Sequence, residues 1–336
     1  MLHPAPLTDL APGWDRAALA PWPGSQEQFG PSTLHVRRAS PLALEDVGAR
    51  AGRSPTPAVF VHGLGGHAMN WTDLMALLRH RLAGAAPDLP GFGRSAPPPD
   101  GDYSLDAMVS AMARVVDGQA QAHGRPVVLF GNSLGGAVCV RLAATRPELV
   151  SSLVLVSPAL PDLRPRRGVL GVPVLATPGL GEQMWRQMTR LPPERQAQAM
   201  LALNFADPSV VPQERLDEAV AEYRHRFALP YAGEALSRTT RGLLRAFIDP
   251  GPTGLWRQAG NLRCPTLLVY GGRDQLVNVR RSRRASRVIR DSRLVVLPDA
   301  GHVAQIEQPV LVARFVVGFL DQVLDADVTS SLASGR

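Results

Sequence analysis

Ser133 stands in GNSLGG (131–136), between an apolar run ending at Gly131 and another beginning at Leu134. A serine at a sharp strand-to-helix turn has a specific chemical use. In the spacing G-x-S-x-G the two glycines, here Gly131 and Gly135, carry no Cβ, so strand and helix can close around the turn while the hydroxyl projects above the sheet. A hydroxyl is a weak nucleophile and needs a base. His302, in LPDAGHVAQIEQP just after the last strand pattern, is placed to reach it. His3 and His35 precede the core strands, while His80, His123 and His225 belong to helical patterns. A base histidine needs a carboxylate to fix its tautomer and stabilise the imidazolium. Asp274, in LLVYGGRDQLV after another strand pattern, can supply it; Asp162, after the strand pattern at 150–158, is the alternative acid.

Such a site also needs donors for the oxyanion of a tetrahedral intermediate, each worth about 3 kcal/mol of transition-state stabilisation. FVHGLGG (60–66) is a glycine-flexible loop after a strand pattern, and the backbone N–H groups of Leu64 and Leu134 are the expected pair. His62 reads as a structural residue holding that loop. Gly63, Asn132 and Val303 are expected beside the substrate. Cys139 and Cys264 lack metal-ligand spacing and read as reduced, structural thiols. Neither a metal nor a cofactor is expected.

The elements that must position these residues alternate. Strands are expected at 58–63, near 84–88, at 126–131, 150–158, 265–271 and 292–298. Helices are expected over WTDLMALLRHRLA, YSLDAMVSAMARVVDGQAQAHG, SLGGAVCVRLAATRP and PVLVARFVVGFLDQVL. Ser104 is a candidate cap of the second, Gly124 its stop and Pro147 the stop of the third. Alternation of this kind means a mostly parallel sheet flanked by helices, with ligands at the carboxyl ends of the strands. From 159 to 257 it breaks into helical patterns alone, which reads as a helical cap inserted in an α/β core of 31–158 and 258–325. Its stretch GVLGVPVLATPGLG (168–181) carries no charge and reads equally as an apolar rim or a buried connection. Residues 1–30 read as an arm, TLHVRRA and LALEDVGAR as a leading hairpin, and 326–336 as a frayed tail.

Composition bounds the partners. All 36 basic residues are arginine, which excludes catalysis by lysine. The formal charge of +7 is concentrated in VRRSRRASRVIR (279–290). At helical spacing Arg280, Arg283, Arg284, Arg287 and Arg290 share an outer face, which reads as a solvated surface. With aromatics at only 5%, base-stacking platforms are not expected, and no nucleic-acid partner is assigned. No stretch has the roughly 18 apolar residues of a membrane span, and the N-terminus lacks a signal-peptide pattern. The expectation is a cytoplasmic monomer or homodimer without stable membrane insertion, acting on a small molecule.

VFVHGLGG, DLPGFGRS, GNSLGG, GGRDQLV and GHVAQIEQP, spread over about 58–320, follow one another as in the α/β-hydrolase fold superfamily, and the chain resembles its members. The resemblance implies the α/β-hydrolase fold, a helical cap and a Ser133–Asp274–His302 triad. It also implies that DLPGFGRS is a turn beside the site, with Asp88 and Arg94 structural. GNSLGG and GHVAQIE further resemble the meta-cleavage product hydrolases, which cut carbon–carbon bonds. The chain departs from these by having Val303 where they have tryptophan and Ala219 where they have a cap arginine. The leading expectation is a serine hydrolase of an ester or thioester with a partly apolar substrate. The alternatives are a carbon–carbon hydrolase with the same triad and a ligand receptor on a hydrolase fold.

Overall fold

The computed structural model describes residues 2–12, 14–15, 20–40, 54–162 and 166–334, with side chains, that of Arg167 apart, up to Val323. Its centre is an eight-stranded sheet in the order β1-β2-β4-β3-β5-β6-β7-β8. The strands are β1 (Gly24–Phe29), β2 (Ser32–Arg38), β3 (Thr56–Val61), β4 (Leu82–Pro87), β5 (Val127–Asn132), β6 (Val150–Val156), β7 (Thr266–Gly271) and β8 (Ser292–Leu297). β1 pairs antiparallel with β2 and β2 with β4, while all pairings among β3–β8 are parallel. Parallel neighbours need crossovers, which the helices supply.

These helices are α1 (Thr72–Leu78), α2 (Leu105–His123), α3 (Leu134–Thr145), α4 (Val172–Ala176), α5 (Leu180–Met188), α6 (Pro193–Asn204), α7 (Gln213–Ala228), α8 (Ala232–Phe247), α9 (Leu255–Gly260), α10 (Ser282–Val288), α11 (Ala304–Glu307) and α12 (Pro309–Ser334). The central strands are apolar on both faces, and the two-residue period decides which layer each side chain joins. Val59, Val61, Leu129, Leu153, Leu155 and Leu268 pack with α2, α3 and α9. Ala58, Phe60, Phe130, Val154, Leu267 and Val269 pack with α1 and α12. α2 begins where the Ser104 hydroxyl accepts the Ala107 N–H and stops at Gly124, whose φ is 64°, as capping chemistry requires.

Several boundaries differ from the sequence reading. The expected arm contains β1, which forms a hairpin with β2; LALEDVGAR, the expected second half of the hairpin, lies outside the described residues. Leu82 and Ala83, read as the end of a helix, open β4 because Thr56 and Pro57 of β3 pair with them. His35 lies within β2 rather than ahead of the sheet. Between β6 and β7 the described residues form helices and no strand, but α9 packs on α3 in the core, with Arg141 Nε donating to Gln258 Oε1 at 3.0 Å. α12 continues to Ser334, through the segment expected to fray. In and around α10 the arginines at 280, 283, 284, 287 and 290 are exposed, while Ala285 and Ile289 are buried.

Candidate active site

β5 ends at Asn132 and α3 starts at Leu134, leaving Ser133 alone in the turn with φ 54° and ψ −119°. A non-glycine residue there carries about 1–3 kcal/mol of backbone strain and persists only when its surroundings over-determine it. They do so here. The Ser133 N–H donates to Val156 O at 3.2 Å, and its carbonyl accepts from Ala159 N at 2.9 Å and Ala137 N at 3.2 Å. The flanking glycines are required by contact: a Cβ on Gly135 would lie 2.2 Å from Val61 O, and one on Gly131 would lie 2.6 Å from Gly135 O. Ser133 is partly exposed between two buried neighbours.

His302 and Asp274 meet across 28 residues of chain, with Nδ1 and Oδ2 2.9 Å apart. Both are buried, at 3% and 1% exposure. The other carboxylate oxygen of Asp274 accepts the N–H groups of Leu276 at 2.8 Å and Val277 at 2.9 Å. Burial pushes this carboxyl up, but the facing charge of His302, its hydrogen bond and those two N–H groups together hold it below its ordinary value. Asp274 is therefore an acceptor on both oxygens, which puts the His302 proton on Nδ1 and leaves Nε2 as the acceptor. Asp162, the alternative acid, accepts from Arg281 Nε at 2.7 Å.

Asn132 joins the turn to the histidine. Its amide donates to Val156 O at 3.0 Å and to the backbone carbonyl of His302 at 3.2 Å. Expected beside the substrate, it is buried and spends its amide hydrogens bracing the loop that carries His302. Gly63 packs against the same turn, since a Cβ on it would lie 3.1 Å from Ser133 Cβ. Val303, next to His302, is 9% exposed.

The loop after β3 is held from both sides of one imidazole. His62 Nδ1 lies 2.8 Å from Gly63 O and its Nε2 accepts from Leu89 N at 2.9 Å. Burial pushes the His62 pKa down to about 4, matching a neutral ring with one donor and one acceptor in use. Among the described residues, the N–H groups of Leu64 and Leu134 have no recorded acceptor, and Leu134 is the first residue of α3, where such N–H groups are normally free. Below this loop Asp88 accepts from Ala68 N at 2.6 Å and Arg94 N at 2.9 Å, and lies 3.0 Å from His35 Nδ1. Burial raises its pKa, but these bonds and the charge of His62 overcome it and bring it to about 2.

Sequence reasoning missed the residues that reach this site from elsewhere. α7 is seated on the core by Arg215 with Asp73 at 2.9 Å and by Arg94 with the buried Glu222 at 3.1 Å. Arg226, also on α7, lies over the loop after β3: a Cβ on Gly65 would be 3.4 Å from its Nη1. Its guanidinium sits over the Tyr223 ring, and no carboxylate lies within ion-pair distance among the described residues. Glu307, in GHVAQIEQP, binds backbone N–H groups on two segments. Apart from Glu307 with Gly301 and Arg226 with Tyr223, the partners are far apart in sequence, so no local signal could have revealed the pairs. Among the described residues no cluster of histidine, cysteine and carboxylate side chains could hold a metal ion, and no helix is long and apolar enough to cross a membrane.

A family model of the α/β-hydrolase fold matches residues 56–309. The chain is 30% identical over 265 residues to the dihydrolipoyllysine-residue acetyltransferase component of an acetoin cleaving system of Cupriavidus necator, covering 77% of this chain but only 62% of that relative's length. It is 30% identical over 291 residues to a 2-hydroxy-6-oxo-2,4-heptadienoate hydrolase of Pseudomonas putida, covering 82% of this chain and 91% of that one. It is 31% identical over 316 residues to an esterase of Mycobacterium tuberculosis, covering 93% and 98%. Among solved structures, a serine hydrolase of Cycloclasticus zankles superposes with a TM-score of 0.70 at 21% identity, covering 90% of this chain and 99% of that one.

Proposed function

The chain belongs to the α/β-hydrolase fold family, and from that premise we propose that it is a serine hydrolase of carboxylic esters or thioesters, working through an acyl-enzyme on Ser133. The observation that carries this reading is the buried His302–Asp274 pair, tied through Asn132 to the strained turn that presents Ser133. Nε2 of His302 takes the Ser133 proton as the oxygen attacks the carbonyl carbon. The N–H groups of Leu64 and Leu134 receive the oxyanion. His302 then protonates the leaving alcohol or thiol, and the same steps with water release the acid. Asp274 stays ionised and keeps the proton on Nδ1. The helices between β6 and β7 act as a cap that shapes the acyl pocket, and Arg226 favours acyl groups that end in a carboxylate.

The test is a panel of p-nitrophenyl esters of rising chain length, with a carboxylate-ended ester added, on wild type and Ser133→Ala. The reading expects hydrolysis by wild type and loss with Ser133→Ala. Equal hydrolysis by both would refute it. A second reading, carbon–carbon hydrolysis with the same triad, is favoured by the similarity to the Pseudomonas putida dienoate hydrolase. It would lead if Ser133 reacted stoichiometrically with a fluorophosphonate while no ester or thioester was cut.

A further inference from the structure

Glu307 sits on α11, buried at 6% exposure, five residues after His302. One carboxylate oxygen accepts the N–H groups of Ala206 and Asp207, both at 2.9 Å, from the chain just beyond α6. The other accepts the N–H of Gly301 at 2.6 Å, immediately before His302. The last turn of α6, which leads into that segment, is bound twice more. The His302 N–H donates to Asn204 O at 2.7 Å, and Gln275 Nε2, next to Asp274, donates to Ala202 O at 2.9 Å. The two backbones pack so closely that a Cβ on Gly301 would lie 2.4 Å from Asn204 O.

We propose that Glu307 is a positioning residue, which clamps the His302 loop to residues 204–207 of the helical insertion so that the insertion helps to set where the base stands. The inference rests on His302 being that base. Its physical reason lies in the donor set. Only an ionised carboxylate offers acceptors to three N–H groups on two segments at once, and such charge-assisted bonds are roughly twice as strong as neutral ones. Glutamine keeps the shape but must turn its NH2 toward Gly301 or toward Ala206 and Asp207, releasing one side of the clamp. The chemistry is sensitive to this, since a displacement of about 1 Å at a reacting group can cost on the order of 100-fold in rate.

The experiment uses the full chain with Glu307→Gln and Glu307→Asp. Competent sites are counted by exhaustive fluorophosphonate labelling. kcat and KM for p-nitrophenyl butyrate are then measured per labelled site across about five pH units, beside Tm. The expected result for Glu307→Gln is a fall in kcat per site of about 10- to 100-fold, a KM changed less than about threefold, and a displaced acid limb of kcat/KM. Glu307→Asp, which keeps the charge, recovers part of the loss. A folded variant with wild-type kcat per site and an unmoved pH profile overturns the proposal, however low its Tm. If Glu307→Gln does not fold, Glu307→Asp is read against wild type by the same two outcomes. His302→Gln separates the premise from the inference. Wild-type turnover in it would sink the serine-hydrolase reading, whereas its loss beside unaffected Glu307 variants would sink only the clamp.

Discussion

Replacing Asp274 by asparagine gives a sharp quantitative expectation. One oxygen of the native carboxylate accepts from His302 Nδ1 and the other from two backbone N–H groups, of Leu276 and Val277. Asparagine must choose where its NH2 goes. Turned toward Leu276 and Val277, it loses two bonds; turned toward His302, it loses one and then donates to Nδ1. With each hydrogen bond worth about 1 kcal/mol once the charge is gone, the second orientation, which replaces the bond it loses, is preferred by about 2 kcal/mol. A donor facing Nδ1 moves the ring proton to Nε2, the atom that must accept from Ser133. The base is then the wrong tautomer, for which the expected loss in kcat is about 10⁴-fold, or roughly 5 kcal/mol at 1.36 kcal/mol per decade. The assay is kcat/KM on a p-nitrophenyl ester, corrected for labelled sites, beside Asp162→Asn as a control expected to stay within about threefold of wild type. Asp274→Asn retaining activity within about tenfold of wild type, or a larger loss from Asp162→Asn, would show that His302 is not held by Asp274 in the reaction.

His62 makes stability depend on pH. Its pKa is lowered from 6.5 to about 4 in the folded protein, so the unfolded chain binds the extra proton between those values. Stability is full above pH 6.5 and falls by about 3 kcal/mol as pH drops through about 4; urea unfolding should show the lead of wild type over His62→Gln shrinking across that window, and a lead independent of pH would contradict the assigned hydrogen bonds. At the nucleophile turn, Gly135→Ala forces a Cβ to within 2.2 Å of Val61 O. It should cost upward of about 3 kcal/mol or abolish folding, whereas Gly171→Ala, with nothing within 4 Å, should stay within about 0.5 kcal/mol of wild type by thermal melts.

What the sequence revealed and what it hid divide along a physical line. Ser133, His302 and Asp274 were legible as candidates because each follows a strand within a few residues, so a short local motif determines which end of the sheet it occupies. β1 was hidden because an edge strand needs no apolar alternation: its residues GSQEQF are mostly exposed, and what orders them is backbone pairing with β2. The end of α1 was misplaced for a related reason. Leu82 and Ala83 could continue a helix, but the register with Thr56 and Pro57 draws them into the sheet, a tertiary effect outweighing local propensity.

The same line runs through the site itself. The core supplies the proposed nucleophile, base, acid and oxyanion donors, all within a few residues of a strand end. The chain between β6 and β7 supplies Arg226, Glu222 and the backbone groups held by Glu307, whose partners are separated by 100 residues or more: Arg94 and Glu222 by 128, Ala206 and Glu307 by 101. Pairs at that separation leave no spacing to read. A glutamate in GHVAQIEQP gives no hint that its acceptors are spent on another helix, and an arginine on an exposed-looking amphipathic helix gives no hint that it lies over Gly65. On the proposed reading, the reaction class is written locally and the acyl preference in long-range contacts. For that reason changes to the core residues should alter kcat across all acyl groups alike, while Arg226→Gln should discriminate between them, weakening carboxylate-ended esters by about tenfold or more in kcat/KM relative to neutral ones of equal length. An equal loss for both kinds of ester would mean that Arg226 supports the loop after β3 and does not read the substrate.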